Sequence, residues 1–127
     1  MRITKEQFEE VIIDSLDYIT KLLSASDSIG SLMYEQVIED TGTILEQYFQ
    51  GNSQFLQSLL MTVQDAMEHN PAQANEVVSA LTDYTKKMME LQGVMQALDL
   101  TRLGDIIKYE IPQELERLNV GLKGLLQ

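Results

Sequence analysis

Apolar residues in this chain recur at steps of three and four, and very little interrupts them. That spacing gathers them on one side of a helix. Sustained alternation with period two is absent, as are the Asn-Gly and Asp-Gly signals of hairpins. Only two prolines, Pro71 and Pro112, break the pattern. The expectation is an all-α fold: a four- to five-helix up-and-down antiparallel bundle with a proline-kinked last helix. Connections of a few residues between long helices favour antiparallel neighbours. The chain of 127 residues fits one domain, residues 1–127, with no linker, low-complexity tract or internal repeat.

A first helix is expected over Lys5–Ser24. Thr4 caps it and Gln7 completes a capping box. Phe8, Val11, Ile12, Leu16, Ile19, Leu22 and Leu23 form its buried stripe. The polar run Ser24–Ser28 should end it, and Ser28-Ile29-Gly30-Ser31 reads as a turn. A second helix is expected over Leu32–Gln50, with Ile29, Leu32, Met33, Val37, Ile44, Leu45 and Tyr48 as its apolar face and Gly51 closing it in the left-handed conformation. Gly42 inside it marks close packing or a kink. Asn52 or Ser53 caps a third helix whose inner face is Phe55, Leu56, Leu59, Leu60, Val63 and Met67. Asn70 caps a fourth, with Pro71 at its first position, where the missing N–H does no harm. That helix carries Val77, Val78, Leu81, Tyr84, Met88, Leu91 and Met95 to about Leu98, with a bend near Gly93. The last segment starts at Asp99 or Thr101 and runs through Leu103, Ile106 and Ile107 to about Tyr109. Pro112 then kinks it, because proline removes a helical hydrogen bond. Leu115, Leu118, Leu122 and Leu125 follow.

Charge limits the partners. The formal net charge is −11, and between Leu22 and Thr85 there are nine carboxylates and no Lys or Arg. A phosphate backbone is repelled by such a surface, which argues against nucleic acid. A basic protein segment is the better charged partner, and the bland alternative is that the acids only serve solubility. Without cysteine there are no disulfides, thiolate catalysis or Cys-ligated zinc. The N-terminal residues place acids where a signal peptide needs an apolar run. No apolar stretch approaches the roughly 20 residues of a membrane span. The expectation is a soluble cytoplasmic protein.

The residues of common catalytic constellations are mostly missing. One histidine, His69, stands at an expected helix end, where it caps carbonyls or, less ordinarily, serves as a ligand or acid–base group. A di-metal bundle needs Glu-x-x-His on two helices, and one histidine falls short of that. The seven glycines are scattered rather than clustered before a helix. Neither a Gly-x-Ser-x-Gly elbow nor an EF-hand loop is present. No cofactor or metal is expected. Glu6, Glu9, Glu10, Asp14 and Asp17 read as a solvated face of the first helix. Asp105 and Tyr109, four apart, share a helix face beside Glu110 and Pro112. They form either a binding spot or a polar network that holds the kink. Methionines suit adaptable surfaces as well as cores, and Met89 is expected to face outward if Met88 and Leu91 face inward.

The segment from Ala97 to Leu115 resembles small helical proteins of Gram-positive bacteria (Firmicutes). Their pattern runs Leu-Ala-Asp-Leu-Leu-x-Tyr-Glu, followed by Pro and Leu. The match falls on Leu103, Asp105, Tyr109, Glu110, Pro112 and Leu115, with Gly104 where the pattern has Ala. The family brings no established activity, and the resemblance implies a motility setting. The architecture also resembles flagellar and type III secretion chaperones. The resulting expectation is a non-enzymatic protein-binding bundle, an accessory factor or chaperone. Its partner would carry a basic or amphipathic helical segment, and the candidate contacts are Met89, Asp105, Tyr109 and Glu110. A homodimer is the first alternative, since Ile12 with Ile13 and Leu125 with Leu126 put apolar residues on more than one face. A small-molecule or metal site at Asp105 and Glu110 is the last.

Overall fold

The computed structural model describes residues 4–35, 40–69 and 71–126, without the side chains of Asp65, Glu68 and His69. Helix α1 spans Lys5–Tyr34, α2 Thr41–His69 and α3 Pro71–Ala97. The last helix is one long rod in three parts. These are α4 (Leu100–Asp105), a π-helical turn (Ile106–Glu110) and α5 (Ile111–Leu125). The fold is all-α, as the apolar spacing requires. The expected roles of Val37 and Asn70, and of the His69 side chain, lie outside the described residues.

Cross-helix contacts set the directions. Ser26 of α1 meets Tyr48 of α2, while Tyr18 stacks on Phe55, so these helices run antiparallel. Gly30 and Tyr34 of α1 lie against Lys108 and Gly104 of the last helix. Gln73 and Asp83 of α3 bond Gly121 and Arg117 of α5. Each pair falls in sequence on one side as it rises on the other. The result is the up-and-down antiparallel bundle.

The expected capping box is present: the Gln7 N–H donates to Thr4 Oγ1 at 3.1 Å and the Thr4 N–H to Gln7 Oε1 at 2.9 Å. Pro71 opens α3, and Asp99 caps α4 by accepting from the Arg102 N–H at 3.1 Å. Two expected breaks do not occur. Ser24–Ser28 and the supposed turn Ser28–Ser31 lie inside α1, which is 30 residues long. Gly51 and Asn52 lie inside α2 rather than between two helices. Serine and asparagine cost a helix interior only about 0.5 kcal/mol each. Burial with a partner outweighs that. Ser26 is fully buried and its hydroxyl stands 2.6 Å from that of Tyr48. Asn52 is fully buried too. Its Nδ2 donates to the Tyr48 carbonyl at 2.8 Å and its Oδ1 accepts from the Tyr84 hydroxyl. A polar chain thus crosses the core from α1 through α2 to α3.

The core around it is built from Ile12, Ile19, Leu22, Leu59, Leu81, Leu91, Leu103, Ile106, Ile107, Leu115 and their neighbours, drawn from every helix. Leu60, Met67 and Val78, expected inside, are instead exposed. A Cβ added at Gly42 would meet nothing within 4 Å, so close packing does not explain it, and α3 continues past Gly93 to Ala97.

Pro112 does not break the rod. The Ile111 N–H reaches back to the Ile106 carbonyl, five residues earlier. The widened turn absorbs the bond that proline cannot make, a known way for a helix to pass an obstruction. The expected kink is therefore a π turn.

Between α3 and α4, Leu98 adopts φ +54°. The left-handed conformation costs an L-residue about 1–2 kcal/mol. The Leu98 side chain is exposed and buries little. Leu98→Gly should raise stability by about 0.5–1 kcal/mol after the entropy of glycine is counted. A urea titration checks this, and a loss of stability would show that the side chain packs.

Candidate functional site

The π turn displays the residues that the sequence singles out, and it sends them to two sides. The side facing α1 begins with two glycines. A Cβ on Gly30 would stand 2.5 Å from Lys108 Cβ and 3.0 Å from its backbone N and Cα. A Cβ on Gly104 would press 2.7 Å into the Tyr34 ring. Their bare backbones let α1 approach the last helix closely. Gly104 makes room for Tyr34.

Tyr34 uses that room. Its hydroxyl donates to Asp105 Oδ1 at 2.5 Å, and its ring lies 6.4 Å from that of Tyr109. Donation to a carboxylate holds the Tyr34 proton, and its pKa rises to about 12, with smaller contributions from burial and the Asp105 charge. A phenol held this way is not a base near neutral pH. Lys108, one turn away, donates to Ser31 Oγ at 2.5 Å and lies 3.6 Å from Asp27 Oδ1.

The other side faces α3. Lys87 lies 2.6 Å from Glu110 and 3.1 Å from Glu90, and Arg102 pairs with both carboxylates. Four charges from α3, α4 and the π turn thus neutralise one another. Hydrogen bonds from Arg102 and Lys87 hold the Glu110 carboxyl below its ordinary value. Bonds from Lys87 and Arg102 do the same for Glu90. Folding therefore favours the charged carboxylates. The cluster's contribution is present above about pH 4.5, the value for a free carboxyl, and is lost as pH falls below it. Glu110→Gln should make the acid limb of a stability–pH curve shallower. Its effect at pH 7 should be under about 1 kcal/mol, because the group is solvent-screened. An unchanged acid limb would mean that the pairs do not persist in solution.

Asp105 and Glu110 are thus both engaged within the bundle, on opposite sides of the turn. Tyr109 keeps 55% of its surface exposed, and Met89, on α3, keeps 67%. Sequence reasoning missed Tyr34, Arg102, Lys87 and Glu90, the partners that explain the two carboxylates. Lys87 and Glu90 were visible as an i,i+3 pair, but only the packing of helices brings Tyr34 to Asp105.

Glu6, Glu10, Asp14 and Asp17 lie exposed along α1, with Glu9 partly covered. Among the described residues, no three His, Asp or Glu side chains gather closely enough to hold a metal ion. No described helix is long and apolar enough to cross a membrane. Neither a curated protein nor a solved structure matches this chain. A family model described as a domain of unknown function (DUF8042) matches residues 10–120, and the chain belongs to that family.

Proposed function

We propose that this protein is a non-enzymatic helical bundle that binds another protein carrying a basic, amphipathic segment. The observation that supports this most is the distribution of charge. Lys87, Arg102, Lys108 and Arg117 each lie beside a carboxylate in the C-terminal half or at its contact with α1. The stretch from Leu22 to Thr85 supplies nine acids and no cation of its own. The field over the α1–α2 half is therefore negative, which attracts basic partners and speeds encounter. Tyr109 and Met89 are exposed apolar contacts for such a partner, and Asp105 and Glu110 hold the turn that presents Tyr109. A cytoplasmic accessory factor or chaperone fits this reading. The motility or secretion setting implied by residues 97–115 belongs to the same proposal.

Affinity capture from the source lysate at low and high salt tests it. The Debye length shrinks from about 10 Å at 0.1 M to about 3 Å at 1 M. A basic partner should be retained at low salt and lost at high salt. Salt-insensitive retention would sink the electrostatic part.

Homodimerisation is the second reading. It is supported by Ile13 on α1, which is 51% exposed, and by the exposed Leu126 after α5. Light scattering that gives a monomer mass at high concentration would remove it.

A further inference from the structure

We infer that the outer seam between α2 and α3 is the strip on which a basic amphipathic helix docks. This rests on the protein-binding reading and adds the surface and the shape of the partner. Leu60 and Met67 are seven residues apart and share a face of α2. Both are exposed, and Met61 beside them is 75% exposed. On α3, Val77 meets Gly121 of α5, while Ser79 and Asp83 bond Arg117 of α5. Val78 is turned to the opposite flank, toward α2. Met89, eleven residues on, returns to the same face.

The bond from Tyr84 to Asn52 fixes the level of the two helices. Six residues from each end of that bond, Val78 comes level with Ser58, about half a turn from Leu60. Met67, Leu60, Val78 and Met89 thus follow one line along the seam, and Met61, about 100° round α2 from Leu60, lies at its outer edge. From Met67 to the level of Met89 the line is roughly 30 Å long, the length of a 20-residue helix. Methionine at two or more of its points suits a surface that adapts to its guest.

Charge selects the occupant. Helix α2 contains Glu46, Asp65 and Glu68 and no Lys or Arg, and α3 has no cation before Lys86. Lys86, near the Met89 end, is the one cation beside the strip among the described residues, so a second copy would set two mainly acidic faces together, and like charges oppose that contact. An anionic lipid or nucleic acid meets the same repulsion. A helix with apolar residues at steps of three and four and a Lys or Arg rim fits both features.

The test uses the full chain and two labelled helical peptides of identical apolar pattern, one Leu/Lys and one Leu/Glu. Binding is read by fluorescence anisotropy at low salt. The wild type should bind the Leu/Lys peptide only. The seam variant Leu60→Ser/Met61→Ser/Val78→Ser should bind it roughly tenfold more weakly. The off-seam variant Ile13→Ser/Val120→Ser, at exposed positions of α1 and α5, should stay within about twofold of wild type. Circular dichroism verifies each fold, and Leu60→Ser alone, an exposed position on the seam face, serves if the triple variant unfolds. A seam variant that binds like wild type overturns the docking strip but leaves the protein-binding reading standing. Equal binding of the Leu/Glu peptide overturns the choice of occupant. No binding of the Leu/Lys peptide to any form overturns both the strip and the reading beneath it.

Discussion

Truncating Tyr84 to alanine should cost about 3–5 kcal/mol of folding stability, the range for removing a large aromatic from a closed core. Tyr84 is fully buried, and its ring is the largest side chain that the core encloses completely. Tyr84→Phe separates packing from bonding. It keeps the ring but leaves Asn52 Oδ1 without the hydroxyl that donates to it. An orphaned buried acceptor costs about 1–3 kcal/mol. Urea denaturation of both variants checks the two figures. If Tyr84→Phe matches wild type, the polar chain through Asn52 is not a source of stability.

The same tyrosines set an alkaline limit. Burial pushes the Tyr48 phenol up to about 12, against a smaller opposing effect of hydrogen bonds from Ser26 and Asn52. Burial raises Tyr84 as well. The folded state therefore holds these protons more tightly than the unfolded chain, whose tyrosines titrate near pH 10. Stability should be complete below about pH 10 and fall as pH rises toward 12, by roughly 1.4 kcal/mol per pH unit for each tyrosine. Tyr34, also held up to about 12 by Asp105, adds a third proton, and Tyr84→Phe should flatten the decline by removing one of the three.

A second large effect is expected at Gly30. In an exposed helix interior, Gly→Ala stabilises by about 1 kcal/mol. At Gly30 the new methyl would stand 2.5 Å from Lys108 Cβ and 3.0 Å from the backbone of the π turn, neither of which can swing away. Overpacking of this kind costs about 1–3 kcal/mol, so Gly30→Ala should be destabilising overall. Gly93→Ala is the matched control: nothing lies within 4 Å of its Cβ and its φ is not positive. It should gain about 0.5–1 kcal/mol. Thermal melts of the pair should move in opposite directions. If Gly30→Ala also stabilises, α1 and the last helix are not in close contact.

Much of the architecture was legible in the chain, because helical periodicity is a property of near neighbours. Thr4 with Gln7, Pro71 and Asp99 each act within one turn, so each helix start they mark was readable. Breaks were harder. Gly51-Asn52 and Ser24–Ser28 look like punctuation because their local preferences are for caps and turns. Those preferences are small, and the partners that override them, Tyr48 for Ser26 and Tyr84 for Asn52, lie on other helices. Leu60, Met67 and Val78 failed as core predictions for a related reason. They sit on the flank of an apolar stripe whose width depends on how the next helix packs.

The candidate site divides in the same way. Asp105, Tyr109, Glu110 and Pro112 drew notice through their spacing on one segment. Their roles depend on Tyr34, Lys87, Glu90 and Arg102, which come from 71, 23, 20 and 8 residues away in the chain. By itself the sequence determined an all-helical bundle, its acidic half and most of its buried faces, because period and charge are local or additive. The tertiary structure alone decided that two supposed turns are helix, that Pro112 is passed by a π turn, and which carboxylates are already neutralised. Those outcomes are set by contacts between distant residues, and a single buried hydrogen bond or backbone approach outweighs several weak local preferences.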